Sequence, residues 1–133
     1  MSVRSRRIAA FLRLAEEEVS AARLLVEPAP RQTAYLCQQS SEKIARALLA
    51  DADVMFGPGH SLDQMAAAFP RGHPWIERIR ILDKHSPAAT RYRYPSSLGK
   101  LFDPPDEERL RADVEEIAEL LVQARKFLAR DKT

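Results

Sequence analysis

The segment ATRYRYPSSLGK, residues 89–100, interleaves two cations with two aromatic rings. Arg91 and Arg93 alternate with Tyr92 and Tyr94. An arginine guanidinium donates paired hydrogen bonds to a phosphate, and a tyrosine ring offers a face on which a base stacks. These residue types are typical of a surface that binds phosphate and base. They also suit the end of a helix whose tyrosines pack on the core, and the pattern leaves both interpretations open.

The charge of the chain is unevenly distributed around this segment. Residues 71–100 contain seven Lys or Arg and two Asp or Glu, a net charge of +5, whereas the whole chain carries +2. Residues 103–119 contain eight Asp or Glu and two Arg, a net charge of −6. This asymmetry favours a local positive surface for an anionic ligand. Alternatively, the two segments neutralise each other across a contact between helices.

Other kinds of chemistry lack a sequence signature. His60, His73 and His85 show none of the i, i+3 or i, i+4 spacings that place two metal ligands on one helix face, so no metal site is predicted. His73 precedes Pro74 and suits a helix cap. The single cysteine, Cys37, leaves no intrachain disulfide. No glycine-rich loop follows a strand, and no cofactor is expected.

Length and composition predict one helical domain spanning residues 1–133. The chain is 45% hydrophobic and 30% charged, which is typical of a globular protein. Its apolar stretches are interrupted by charges every three or four residues, so no membrane segment is predicted. The basic N-terminal stretch is interrupted by Arg13 and then by acids, unlike a secretory signal. We therefore expect a cytoplasmic protein.

Apolar residues recur at steps of three and four, and no segment alternates with period two, so the predicted fold class is all-α. The pattern favours an antiparallel up-down bundle of four to five helices. Ser61 with Gln64 forms a capping-box pattern for a short third helix. The first three expected helices cover residues 5–26, 31–52 and 62–69. The fourth begins at Pro74 and should break near residues 84–86 because of Pro87. The last helix is expected to be capped by Asp103 and to begin at Pro104.

Six consecutive polar residues, Gln38 to Lys43, interrupt the apolar pattern of the second helix. A solvated helix face needs only some of them, so part of the run must face other helices. Gln38 and Glu42 share a face at i, i+4. The simplest interpretation is a hydrogen bond between these two side chains beside an exposed lysine.

Four motifs in this order resemble those of HEPN domains: AEEEVSAARLLVE, AYLCQQSSEKIARALL, GHSL and RYP. The resemblance extends from about Ala15 to Pro95. It implies a helical bundle that usually dimerises and binds nucleotide or RNA, commonly beside a minimal nucleotidyltransferase in a toxin–antitoxin pair. The family motifs map onto Gln39, Glu42, Lys43, His60, Arg93, Tyr94 and Pro95.

The resemblance favours a homodimeric HEPN-like binding module without chemistry of its own. The predicted nucleotide- or RNA-binding set is Lys43, His60, Arg91, Arg93 and Tyr94. Lys43 and the two arginines would contact phosphate, and Tyr94 would stack on a base. Arg93 could instead be structural, capping a helix or pairing with Glu42.

Two further interpretations remain. Many HEPN proteins are ribonucleases with an Arg, four to six residues and then a His, a spacing shown here by Arg80 or Arg78 with His85. A metal-independent endoribonuclease toxin would use His85 as acid or base on the 2′-hydroxyl and the arginine on the phosphorane. However, such a short motif also arises by chance. The third interpretation is a pure protein-interaction module whose basic segment docks an acidic partner.

Overall fold

Five α-helices form the bundle in the computed structural model, which describes residues 1–130. They are α1 (Val3–Leu25), α2 (Pro30–Asp51), α3 (Leu62–Ala68), α4 (Ile76–Leu82) and α5 (Glu107–Leu128), with a 3₁₀ segment at Asp83–Ala89. No strand occurs among these residues, so the predicted all-α class and helix number are confirmed. In the described part of the chain, no helix combines the length and hydropathy needed to cross a membrane.

Helix α2 is the centre of the bundle, since it contacts α1, α3, α4, α5 and the 3₁₀ segment. The connection from α1 to α2 is short, which makes these two helices antiparallel neighbours. Ile44 and Leu48 of α2 are fully buried with Ile79 and Ile117 from the other helices. Burying each such side chain contributes about 1.5–3 kcal/mol. The apolar stripe of α2 is therefore surrounded by the other helices, which also cover part of its polar run.

Side-chain caps explain where two of the helices begin. The Ser61 hydroxyl accepts a hydrogen bond from the Gln64 amide at 3.2 Å, as predicted for α3. The predicted start of α5 was wrong. Asp106, not Asp103, caps this helix by accepting from the Arg109 amide at 2.8 Å. Two consecutive prolines keep the preceding residues extended, because a residue before proline is disfavoured in the helical region.

Helix α4 is shorter at both ends than the sequence predicts. It begins at Ile76 and not at Pro74. The His73 ring nitrogen Nδ1 accepts from the Trp75 amide at 3.1 Å, but Trp75 itself is the N-cap residue of α4 and no side chain in residues 1–130 caps this helix, so the predicted capping role of His73 was wrong. The α-helix ends at Leu82, and the chain continues as a 3₁₀ segment that contains Pro87. Pro87 has no amide proton and its ring clashes with the preceding turn, so the α-helix cannot continue there.

Candidate functional site

The chain after the 3₁₀ segment turns twice and points alternate side chains in different directions. The Arg91 amide donates to the Pro87 carbonyl at 2.9 Å, and the Tyr94 amide donates to the Thr90 carbonyl at 3.2 Å. Tyr92 is half-buried against the core, whereas Arg91 and Tyr94 are exposed. The packing interpretation of the RYRY segment therefore holds for Tyr92, whereas Arg91 and Tyr94 face solvent, where a ligand could reach them.

Arg93 lies between two tyrosine rings. Its guanidinium carbon is 4.9 Å from the centre of the Tyr35 ring and 5.4 Å from that of Tyr94. No carboxylate in residues 1–130 forms an ion pair with it. The alternative partner, Glu42, pairs with Arg46 and His60 instead. Within residues 1–130 the guanidinium is thus positioned by aromatic faces, and its hydrogen-bond donors are available to a ligand.

Two more arginines meet at Phe102. The Arg91 guanidinium carbon lies 5.7 Å from the centre of the Phe102 ring, and Arg31 Nε donates to the Phe102 carbonyl at 2.9 Å. Arg31 stands one turn before Tyr35 on α2. We call this set the Arg–Tyr surface: Arg31, Tyr35, Arg91, Arg93, Tyr94 and Phe102.

Sequence reasoning missed Arg31 and Tyr35 as members of this surface. Their only signal was the i, i+4 spacing that places them on one face of α2. The described residues include no ion pair for any of the three arginines of the surface. The surface therefore concentrates three uncompensated positive charges beside three aromatic rings.

The acidic segment does not neutralise this surface. Of the basic side chains in residues 71–100, Lys84 alone pairs with residues 103–119 in the described structure. Lys84 Nζ lies 2.8 Å from Glu116 Oε1 and 3.7 Å from Asp113 Oδ1. The neutralisation that the charge pattern allowed is confined to this contact.

A buried polar network lies further along α2, with Glu42 at its centre. The Glu42 carboxylate, 6% exposed, accepts from Gln38 Nε2 at 3.1 Å and Arg46 Nε at 3.1 Å, and lies 2.9 Å from His60 Nδ1. Burial acts to raise the pKa of Glu42, but the hydrogen bonds from His60, Arg46 and Gln38 outweigh it and hold the pKa below its usual value. The predicted bond between Gln38 and Glu42 is present.

Arg46 also fixes the loop that carries His60. Its Nη2 atom donates to the Gly57 carbonyl at 3.0 Å and to the Gly59 carbonyl at 2.7 Å. The planar guanidinium can serve these carbonyls and Glu42 at once because it has five donors in a fixed geometry. Sequence reasoning missed this residue, whose only signal was its i, i+4 spacing from Glu42.

Lys43 is engaged on the other side of the network. Its Nζ atom lies 3.0 and 3.2 Å from the two Glu18 oxygens and 3.3 Å from Gln39 Oε1. Its side chain is only 18% exposed, unlike the exposed lysine of the simplest interpretation. Burial raises the pKa of Glu18 despite the nearby Lys43 ammonium. The positive charge of Lys43 is therefore largely compensated within the protein.

The five predicted ligand-binding residues thus form two groups. Arg91, Arg93 and Tyr94 lie on the Arg–Tyr surface, whereas Lys43 and His60 belong to the polar network. Both groups adjoin one face of α2. Positions 35, 39 and 42 of this helix follow one another at steps of four and three, which places their side chains on the same face. Glu42 lies seven positions after Tyr35, which is about 10 Å along the helix axis.

The nuclease pair considered from the sequence does not converge. Arg80 Nη1 pairs with Glu77 at 2.8 Å, and the Arg78 guanidinium carbon lies 4.5 Å from the centre of the Trp75 ring. Both arginines are on the exposed side of α4, whereas His85 is buried. Burial lowers the pKa of His85, which Asp113 acts to raise. The geometry does not support joint action of His85 with either arginine.

Comparison with known proteins agrees with the fold and the motif order. The family model described as HEPN domain matches residues 8–129. No curated protein and no solved structure matches the chain significantly. The family match covers nearly the whole chain and includes the Arg–Tyr surface and the polar network. The chain belongs to the HEPN domain family, whose functions concern nucleotides and RNA.

Proposed function

We propose that the protein is a nucleotide- and RNA-binding module whose ligand lies on the Arg–Tyr surface. The observation that carries this proposal is the grouping of three arginines without carboxylate partners, within residues 1–130, beside Tyr35, Tyr94 and Phe102. Arginine suits phosphate because its planar fork donates two parallel hydrogen bonds. Aromatic faces accept any base, which fits RNA binding with little sequence preference.

Each residue of the predicted set has a role in this proposal. Arg91 and Arg93 contact phosphate, and the Tyr94 ring, 56% exposed, stacks on a base. His60, whose side chain is 61% exposed, borders the ligand from the loop. Lys43 supports the adjoining face of α2 through its ion pair with Glu18. The polar network thus holds the binding face rigid, and the Arg–Tyr surface supplies the contacts.

The proposed module does not cleave its ligand. The arginines that share a nuclease-like spacing with His85 engage Glu77 and Trp75. The Cys37 thiol is no better placed as a nucleophile, since burial raises its pKa to about 12. Binding without chemistry is the function that this arrangement supports best.

We extend the proposal to a homodimer that acts with a nucleotidyltransferase partner in a toxin–antitoxin-type pair. The resemblance of the motifs to HEPN domains supports this extension. The loop before Phe102 also exposes two apolar side chains, Leu98 at 83% and Leu101 at 68%, and supports it, because exposed apolar patches mark interaction sites. Light scattering at micromolar concentration tests the dimer, and a monomer mass would contradict this part.

Fluorescence anisotropy with a labelled single-stranded RNA tests the binding proposal. We expect the double variant Arg91→Ala with Arg93→Ala to bind at least tenfold more weakly than the wild type. Removing two phosphate contacts should also make the slope of log K against log salt less steep by about 1.4. A fluorescent adenine nucleotide serves as the second probe.

Arg71→Ala is the matched control for this experiment. Arg71 is exposed and lies in the same basic segment, but it is not part of the Arg–Tyr surface. Its removal lowers the total charge by one without touching the proposed site, so the affinity should change little. Unchanged RNA affinity in the folded double variant, or an equal loss of affinity in Arg71→Ala, would contradict the proposal.

A further inference from the structure

Behind the Arg–Tyr surface, a polar cavity of about 100 Å³ lies between α2, the 3₁₀ segment and α5. His85 lines this cavity and is only 7% exposed. Its Nε2 atom is buried and has no hydrogen-bond partner among residues 1–130. Buried polar atoms are nearly always paired, because leaving one unpaired is unfavourable. This orphaned nitrogen therefore points to a missing partner in the cavity.

Two carboxylates lie close to the His85 ring, and one of them, Asp113, also lines the cavity. Asp113 and Glu116 stand at i, i+3 on α5, so they share one helix face. One oxygen from each and a ring nitrogen of His85 all lie within 4.8 Å of one another. The three groups come from two elements that pack on the central helix, and the rigid backbone of α5 sets the spacing of the two acids. They have the chemistry and the convergence of a cation site.

We propose that His85, Asp113 and Glu116 bind a divalent transition-metal ion, with Zn²⁺ as the ion of choice. One imidazole nitrogen and two carboxylate oxygens are ligands that Zn²⁺ accepts, and three protein ligands leave a fourth position for water. A tetrahedral ion with bonds of about 2.1 Å places its ligands about 3.4 Å apart. The three ligand atoms lie within 4.8 Å of one another, so binding an ion would require the side chains to draw closer together.

The Lys84 side chain lies beside the two carboxylates of this site. Its ammonium lies 2.8 Å from Glu116 and 3.7 Å from Asp113 but makes no hydrogen bond with His85. A divalent ion would engage all three groups at once. The Lys84 side chain is 37% exposed, so its charge can move into water when the metal enters. Lys84 is therefore a competitor of the ion, and its removal should strengthen metal binding.

The sequence led to the opposite expectation of no metal site, because only the spacing between histidines was considered. The single histidine of this cluster meets acidic residues that lie on a different helix. The pairing of Asp113 and Glu116 at i, i+3 was visible in the sequence, but nothing there indicated that His85 lies opposite them. This inference is independent of the RNA-binding proposal, since none of the three ligands belongs to the Arg–Tyr surface.

Calorimetric titration of the chelator-treated full chain with Zn²⁺ tests the proposal. We expect one ion per chain for the wild type, and an affinity at least tenfold lower for His85→Gln and for Asp113→Asn. Lys84→Met should bind several-fold more tightly than the wild type. Circular dichroism of each variant without metal checks that the variant is folded. If His85→Gln does not fold, the near-isosteric Asp113→Asn provides the test.

Two control variants locate the ion. His73→Asn removes a histidine outside the cavity while keeping an acceptor for the Trp75 amide, and Cys37→Ser removes the neighbouring thiol. Both should bind Zn²⁺ like the wild type. Absence of binding to the wild type at about 0.1 mM Zn²⁺, binding unchanged in Asp113→Asn, or binding lost in either control would overturn the proposal.

Discussion

The guanidinium carbon of Arg93 lies 4.9 Å from the centre of the Tyr35 ring. This contact joins the turn after the 3₁₀ segment to the first half of α2, although the two residues are distant in the chain. It also holds the guanidinium in a defined orientation without a carboxylate partner in the described residues. The positive charge of an arginine held by aromatic rings is not compensated by a neighbouring carboxylate, whereas that of an arginine in an ion pair is.

Replacing Arg93 should affect binding more than stability. Arg93→Ala removes cation–π contacts worth about 0.5–1 kcal/mol at an exposed site, so we expect the melting temperature to fall by no more than about 4 °C. RNA affinity should fall several-fold. Arg93→Lys should be intermediate, because lysine keeps the charge but not the planar fork. A large loss of stability with unchanged RNA binding would instead make Arg93 structural.

Removing the carboxylate of Glu42 should strongly destabilise the bundle. Glu42→Ala leaves Arg46 without its buried partner, and we expect the free energy of unfolding to fall by about 3 kcal/mol in urea titrations. Glu115→Ala is the matched control, because this glutamate pairs with Arg23 at 2.8 Å but its side chain is 61% exposed. Its loss should cost less than about 1 kcal/mol. Equal effects of the two variants would contradict the central role of Glu42.

The same carboxylate should make stability depend on pH in the acidic range. The pKa of Glu42 is lower in the folded protein than its ordinary value of 4.5, so the unfolded chain binds more protons in this range. Its contribution is complete above that value and is lost as the pH falls through the folded pKa. Unfolding in urea at several pH values below 5 should therefore show a shallower pH dependence for Glu42→Gln than for the wild type. Parallel curves would count against this linkage.

Arg46 should control the loop that carries His60. Arg46→Lys keeps the charge but cannot donate to Glu42 and to the Gly57 and Gly59 carbonyls in one plane. We expect faster amide hydrogen exchange in residues 57–60, measured by mass spectrometry, with little change in the second half of α5. Unaltered exchange in this loop would mean that other contacts hold it in place.

Labelled RNA should remain intact with this protein. We expect no cleavage on a denaturing gel after incubation without added metal, because His85 is buried away from the exposed Arg78 and Arg80. His85→Ala is the companion sample. Cleavage by the wild type that disappears in this variant would promote the endoribonuclease interpretation over the binding module.

The sequence by itself determined the helical class, the number of helices and most of their boundaries. Helix periodicity and caps act within one or two turns, so Ser61 could be recognised as a cap from its neighbours alone. The start of α5 was misplaced because two acidic residues flank the prolines and either can cap. Choosing Asp106 required the observed hydrogen bond to the Arg109 amide.

The partners of the charged residues were decided only by the tertiary structure. The only local signal of Arg31 and Arg46 is an i, i+4 spacing within α2, yet packing brings one to the Phe102 carbonyl and the other to the loop after α2. His85 likewise meets Asp113 only because the 3₁₀ segment packs near α5. Charges and ligands interact through space over a few ångströms, and this proximity depends on how helices distant in the chain pack. Local spacing records which face a residue occupies, but not what lies opposite.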